Sequence, residues 1–366
     1  MRFGIVGLPR AGKSTLFNML TRGSADLRAW GGHDEVHVGV ARVPDPRLDR
    51  LAGITRPRKV THATMEYVDL PAISRQEGAR GDAEPWAAGL AALKNAEALV
   101  HVVRAFDDDR VPHPEGTVDP VRDIRLLELE MVLSDLSLVE RRLERLSKDL
   151  KKIKSAELER EHEMLARFRA VLERERPLRE LELSEEEKRL TRGFTFLSAK
   201  PLLVVLNLGD DQAATIPRVV DAYGLESYAG WRNTALAAVC GKIEAEIAAL
   251  PPQDARAFME DLGLPESGPA RVIARSYSLL RLVSFYTVSE SEGRAWAVPE
   301  GTPALKAAGM IHTDFERGFI KAEVVRFEDM LAAGSFQAAR SKGLLRIEGK
   351  DYPIQDADVV LFRFHV

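Results

Sequence analysis

The segment GLPRAGKS at residues 7–14 constrains this chain more than any other, because it fits G-x-x-x-x-G-K-S/T and has the flanks that the pattern needs. Phe3, Ile5 and Val6 form a short apolar run of strand type ahead of it, and residues 15–20 (TLFNML) continue behind it with helical spacing. Strand, glycine loop and helix together read as a phosphate-binding loop. Gly7 and Gly12 let the backbone curl so that successive N–H groups point inward at a phosphate, and the helix start adds the positive end of its dipole. In such a loop Lys13 reaches the β- and γ-phosphates and the Ser14 hydroxyl ligates Mg2+.

A chain of 366 residues leaves room for two or three cores. With 45% hydrophobic and 30% charged residues it is globular rather than disordered. The net charge of −4 excludes a bulk polycation, so any nucleic-acid contact must be a local patch. Cys240 is the single cysteine, which rules out an intramolecular disulfide and fits a reducing compartment. The loop strand starts at Arg2 and no apolar run approaches membrane-spanning length, so the expectation is a cytoplasmic protein with no leader and no membrane contact; a monomer is expected beside it, though no residue pattern fixes the oligomeric state.

Residues 24–35 (SADLRAWGGHDE) are polar and glycine-containing, as in a mobile loop, and lead into a strand at 36–43. Pro44-Asp45-Pro46 turns the chain, and a further short strand ends at Asp69. A carboxylate at a strand end beside a phosphate loop suits the second Mg2+-organising group; the alternative is an ordinary turn residue. Residues 98–103 (ALVHVV) and 202–206 (LLVVL) are uninterrupted apolar runs, as for strands buried on both faces of a parallel sheet, and 236–239 follow in kind. Strands alternating with helical segments predict a doubly wound α/β domain.

That domain is interrupted. From Leu129 apolar residues fall at Val132/Leu133, Leu136, Val139, Leu143, Leu146, Leu150 and Ile153, a heptad seam, and resume at Leu158, Leu165, Phe168 and Leu172. Two long helices folded back on each other predict an antiparallel arm. Arg141, Arg145, Lys148 and Lys152 line its outer face, either as solvated surface or as a docking stripe for RNA phosphates. Beyond Pro269, short strands at 283–288, 294–298, 321–327 and 359–364 with a helix at 302–310 read as a small α+β module. His312, Asp314 and Glu316 there have no good metal spacing and suit a turn better.

These residues carry a resemblance over essentially the whole length. GIVGLPRAGKSTLFN at 4–18, PDPRLD at 44–49, TMEYVD at 64–69, HVVRAF at 101–106, IEAEIAAL at 243–250, IHTDFERGFIKAEV at 311–324 and EGKDYPIQDADVVLFRF at 348–364 resemble the Obg-like ATPase (YchF) family of the GTPase superfamily. The resemblance implies a nucleotide-binding domain at 1–124 and 198–278, an inserted helical arm at 125–197 and a C-terminal β-grasp (TGS) module at 279–366. It also implies a preference for ATP over GTP and association with the ribosome or its RNA. On the matching positions it places Pro9, Arg10, Ala11, Gly12, Lys13, Ser14 and Thr15 at the phosphates. It places Asn207, Leu208, Gly209 and Asp210 at the base, with Cys240 and Gly241 in the second base-contacting loop, and Mg2+ on Ser14 and Asp69.

Base choice can be argued from residues. Superfamily GTPases hold guanine with Asn-Lys-x-Asp; here Asn207-Leu208-Gly209-Asp210 lacks the lysine that would lie over the base. The family usually ends this motif in glutamate, and Asp210 could still accept from guanine, so GTP stays the alternative to ATP.

Other departures bear on hydrolysis. The loop threonine that completes the Mg2+ shell in the family aligns with His33, a poor ligand for a hard ion. Asp69-Leu70-Pro71-Ala72 replaces Asp-x-x-Gly, Ile73 follows where a water-positioning glutamine is absent, and residues 74–85 replace a glycine-rich segment. Arg10 stands where the family has an asparagine that ligates a monovalent cation in related GTPases. Its guanidinium either substitutes for that ion or points to solvent. Two functions follow: a slow Mg2+-dependent triphosphatase in which Lys13 stabilises developing charge, Ser14 and Asp69 organise the metal and Asn207 reads the base, or a nucleotide-dependent binding module without useful turnover.

Overall fold

The computed structural model describes residues 1–21, 28–30, 36–69, 93–191 and 193–365. The chain divides into two compact units, one of residues 1–40 and 66–275 and the other of residues 41–65 and 276–366.

In the first unit seven described strands lie in the order β2-β3-β5-β1-β6-β7-β8. They are β1 (Arg2–Val6), β2 (Arg28–Trp30), β3 (Val36–Arg42), β5 (Thr64–Asp69), β6 (Ala98–Arg104), β7 (Leu202–Asn207) and β8 (Thr234–Val239). β1 pairs in parallel with both β5 and β6, and parallel pairing continues through β7 to β8. Every residue of β6 and β7 is buried, which is why their apolar runs are unbroken. The strand β2 falls inside the stretch expected to be a mobile loop. It pairs antiparallel with β3, and three residues are too few to show an alternating pattern.

The arm is built from two helices, Pro120–Leu150 and Ala156–Leu172. Asp119 and Ser155 cap their starts by accepting from the backbone N–H groups of Arg122 and Leu158. Cross-pairs of Arg125 with Glu175 and Arg142 with Glu161 make the helices antiparallel. Val132, Val139, Leu143 and Leu146 bury against Met164, Leu165, Phe168 and Leu172. Expected seam residues Leu133, Leu150 and Ile153 do not join them, and Leu133 is 45% and Ile153 62% exposed. Leu133 is one step of the helical wheel from Val132, and Ile153 lies beyond the helix end. Ile124, Leu127 and Met131, at the start of the first helix, pack instead into the core of the parallel sheet. On the basic stripe, Lys148 pairs with Glu144 at 2.7 Å and Arg141 donates to the Ser137 carbonyl of its own helix.

Buried polar groups fasten the arm's root. Arg179 is paired with Glu128, and its guanidinium lies 5.8 Å from the Trp231 ring centroid. Asp135 accepts from the Leu197 and Ser198 N–H groups and from the Ser198 hydroxyl; burial still pushes its pKa up to about 6.

In the second unit the strand order is β12-β11-β13-β9-β10-β4. These strands are β4 (Lys59–Thr61), β9 (Leu282–Val288), β10 (Glu292–Pro299), β11 (Phe319–Arg326), β12 (Arg346–Glu348) and β13 (Asp358–Phe364). Helix Ala304–Ile311 presents Ala304, Ala307 and Ala308, all fully buried, to a core with Phe285, Val298, Val324 and Val360. Small side chains let the helix lie close to the sheet.

Residues 41–65, which sequence order places with the nucleotide-binding segment 1–124, cluster with this C-terminal sheet. β4 pairs in parallel with β10, and Asp45 caps helix α2 (Pro46–Thr55). Tyr286 donates to Asp45 at 2.5 Å, and Arg47 donates to Asp45 at 3.1 Å and to Asp356 at 2.6 Å. These bonds hold the Asp45 carboxyl below the usual range although burial opposes them. Among the described residues no helix is long and apolar enough to cross a membrane.

Candidate functional site

β1 ends at Val6 and the glycine loop leads directly into helix α1 (Lys13–Thr21). Gly7 has φ +152°, and a side chain there would strike the Val102 carbonyl of β6. Gly12 has φ +98°, and a side chain there would strike the Asn207 amide. Both positions need glycine for conformation and for space. Arg10 adopts φ +63°, a left-handed conformation that costs a non-glycine residue free energy.

Lys13 is 8% exposed, and its Nζ donates to the Gly7 and Leu8 carbonyls at 3.1 Å each. The ammonium therefore lies inside the curl of its own loop. Burial brings its pKa down to about 8, against the opposing pull of Asp69. The Ser14 hydroxyl donates to Asp69 Oδ2 at 2.8 Å.

Asn207, at the end of β7, is a brace that the sequence reading did not anticipate. Its Nδ2 donates to the Ala11 carbonyl at 3.0 Å, and its Oδ1 accepts from the Gly241 N–H at 3.0 Å. One buried side chain thus ties the phosphate loop to the loop after β8. Asp210 accepts from Lys242 Nζ at 3.0 Å and from the Ile243 N–H at 3.3 Å. Cys240 is fully buried, and its thiol donates to the Gly209 carbonyl. Burial, reinforced by Glu244, pushes that thiol up to about 12, so it is inert as a nucleophile.

A cavity of about 1170 Å³ opens beside the phosphate loop and the loops after β7 and β8. Arg10, Gly12 and Thr15 line one part, Asn207 to Asp211 another, and Gly241 and Lys242 a third. The structure thus brings Arg10, Gly12 and Thr15 of the phosphate loop together with Asn207 to Asp210 and Gly241, while Pro9, Ala11, Lys13, Ser14 and Cys240 are not in this wall. Residues 106–111, also in the wall, escaped the sequence reading. Their position after the carboxyl end of β6 was the available signal, because ligands of parallel sheets bind at those ends. Arg104, 2% exposed, shapes this loop by donating to the Phe106 and Val111 carbonyls at 3.0 and 2.7 Å. Arg10 reaches the same loop, donating to the Pro112 carbonyl at 3.3 Å.

Ser14 and Asp69 offer a hydroxyl and a carboxylate, adjacent and both hard oxygen donors, and this set suits Mg2+. Among the described residues no cluster of three or more His, Cys, Asp or Glu side chains could hold a metal. His33, Ala72, Ile73 and residues 74–85 lie outside the described residues. His312 and Asp314 face each other at 3.3 Å, and His312 accepts from the Asp314 N–H, a local hydrogen-bonded turn rather than a metal set.

The chain is 40% identical to the ribosome-binding ATPase YchF of Bacillus subtilis (strain 168), over 99% of both chains. It belongs to the YchF family of P-loop GTPases. Identity with the Escherichia coli O157:H7 protein of the same name is 39%, over 99% of each chain. The family model described as a 50S ribosome-binding GTPase matches residues 2–133, and the YchF-GTPase C-terminal model, described as a protein of unknown function, matches residues 282–365. The solved YchF GTPase of Schizosaccharomyces pombe superposes with a TM-score of 0.82 at 26% identity, over 99% of this chain and 97% of that one. A P-loop domain and a C-terminal module are therefore the YchF architecture here, as the sequence resemblance implied.

Proposed function

We propose that the chain is a slow, Mg2+-dependent nucleoside triphosphatase of the cytoplasm that prefers ATP and works on the ribosome as a monomeric nucleotide switch. The observation that carries this is the joined pair of contacts at the loop: Lys13 folded onto the Gly7 and Leu8 carbonyls, and Ser14 bonded to Asp69. A triphosphate entering the loop would draw Lys13 Nζ from two carbonyls to its β- and γ-oxygens, while the loop N–H groups hold the same phosphates. Mg2+ on Ser14 and Asp69 would neutralise charge between those phosphates. Asn207 keeps loop and base site in register, and Leu208 stands in the cavity wall where a guanine-binding motif has its lysine.

Domain limits at 1–124 with 198–278, 125–197 and 279–366, with residues 41–65 given over to the sheet of the last of these, and a TGS type for it, belong to this reading. So does the ribosome, a partner supported by the names of the B. subtilis and E. coli relatives. The experiment is phosphate release from ATP and from GTP, with and without ribosomes, for the chain and for Lys13→Ala. Release from ATP that ribosomes accelerate and Lys13→Ala abolishes is the expected result. Nucleotide binding with no release in any condition would leave a binding module in place of an enzyme.

A further inference from the structure

We infer that Lys242 is a positioning residue for base selection, engaging the Asp210 carboxylate so that the cavity discriminates against guanine. This rests on the nucleotide-binding reading above. Asp210 and Lys242 both line the cavity. Each carboxylate oxygen of Asp210 has its own donor, Lys242 Nζ on Oδ2 at 3.0 Å and the Ile243 N–H on Oδ1 at 3.3 Å. Both donors ride on the helix Gly241–Ile247, whose start is pinned twice more. The Gly241 N–H donates to Asn207, and the Cys240 N–H donates to Glu244 Oε1 at 2.9 Å.

Guanine presents two donors along its pairing edge, N1–H and the exocyclic N2 amine, which together seek a carboxylate. Adenine presents a bare N1 lone pair there, which a carboxylate repels. An unpartnered aspartate at this place would therefore favour guanine, as in the Asn-Lys-x-Asp motif. With an ammonium and an amide already on its oxygens, Asp210 offers a weaker acceptor and a smaller negative field. Adenine then loses less and guanine gains less. Lys242 is 73% and Asp210 38% exposed, so the pair is screened and its effect is a modest factor rather than a switch.

The test uses the full chain with Mg2+ and titrates ATP and GTP into wild type, Lys242→Met, Lys242→Arg, Asp210→Asn and the Lys242→Met/Asp210→Asn double variant. Lys242→Met should move the GTP-to-ATP affinity ratio toward GTP about three- to fivefold, while Lys242→Arg keeps the wild-type ratio. In the Asp210→Asn background Lys242→Met should cause no further movement, because there is no carboxylate left to engage. Added NaCl should carry the wild-type ratio toward that of Lys242→Met and leave the variant unmoved. A wild-type protein that binds ATP, with a ratio untouched by Lys242→Met or with the same change persisting beside Asp210→Asn, overturns this inference alone. A wild-type protein that binds neither nucleotide overturns it together with the reading beneath it.

Discussion

The Ser14 hydroxyl donates to Asp69 Oδ2 at 2.8 Å, joining the start of α1 to the end of β5 across 55 positions of sequence. Two oxygen donors that Mg2+ would share are in mutual contact before any phosphate arrives. Exchanging that hydrogen bond for metal coordination requires only that the hydroxyl turn its proton away. Asp69→Asn should therefore lower the rate of Mg2+-supported phosphate release about a hundredfold, the order lost when one electrostatic stabiliser is removed. It should also abolish the difference in ATP affinity between Mg2+ and EDTA. Equal Mg2+ dependence in the variant and the wild type would contradict the pairing.

The depressed pKa of Lys13 gives nucleotide binding a pH limb. Burial brings the free ammonium down to about 8, and a bound triphosphate would restore its proton. Below that pH Lys13 is charged both free and bound, so affinity is flat. Above it binding must take up a proton, and ATP affinity should fall by up to tenfold per pH unit. Calorimetry at pH 9 in buffers of different ionisation enthalpy should detect that uptake. Asp69→Asn, by removing the charge that holds the ammonium up, should move the limb to lower pH. Binding at pH 9 without proton uptake would contradict the assignment.

Arg10 is held at the cavity rim by the Pro112 carbonyl, with its backbone in the left-handed region. Arg10 is exposed, so its guanidinium lies at the solvent edge of the cavity, and supplying the fixed charge that a monovalent cation supplies elsewhere would require it to turn from Pro112 toward the phosphates. Replacing K+ by Na+ should leave turnover unchanged, and Arg10→Asn should make turnover depend on K+. A strong K+ requirement in the wild type would remove the idea.

At the arm's root Glu128 is the carboxylate partner of a fully buried Arg179. Truncating one member of such a pair leaves an uncompensated charge in the interior. Glu128→Ala should cost about 3–5 kcal/mol of stability, read from the urea midpoint of the unfolding transition. A loss under about 1 kcal/mol would mean that water or another group solvates Arg179.

Much of this was legible from local pattern. The glycine loop, the buried runs of β6 and β7 and the seam of the arm declare themselves because each is set by residues a few positions apart. What stayed hidden depends on distant pairs. Tyr286 reaches Asp45 across 241 positions, and nothing near PDPRLD says that it will fold with the C-terminal sheet. Asn207 could be recognised as a site residue, yet its bracing of Ala11 and Gly241 exists only once three loops meet. Asp210 was legible as a base-loop residue that could still accept from guanine, but nothing near it in sequence shows that Lys242 and the Ile243 N–H lie on its oxygens. The loop after β6 was missed because its three aspartates and an arginine look like ordinary surface, and only strand order places them in the cavity wall.

The most direct test of the account is a calorimetric titration of the full chain with ATP and with GTP, each with Mg2+ and with EDTA, repeated for Lys13→Ala. The account predicts one ATP site per chain, weaker binding of GTP, loss of affinity without Mg2+, and no binding by Lys13→Ala. Absence of binding by either triphosphate at millimolar concentration with Mg2+ present would contradict it.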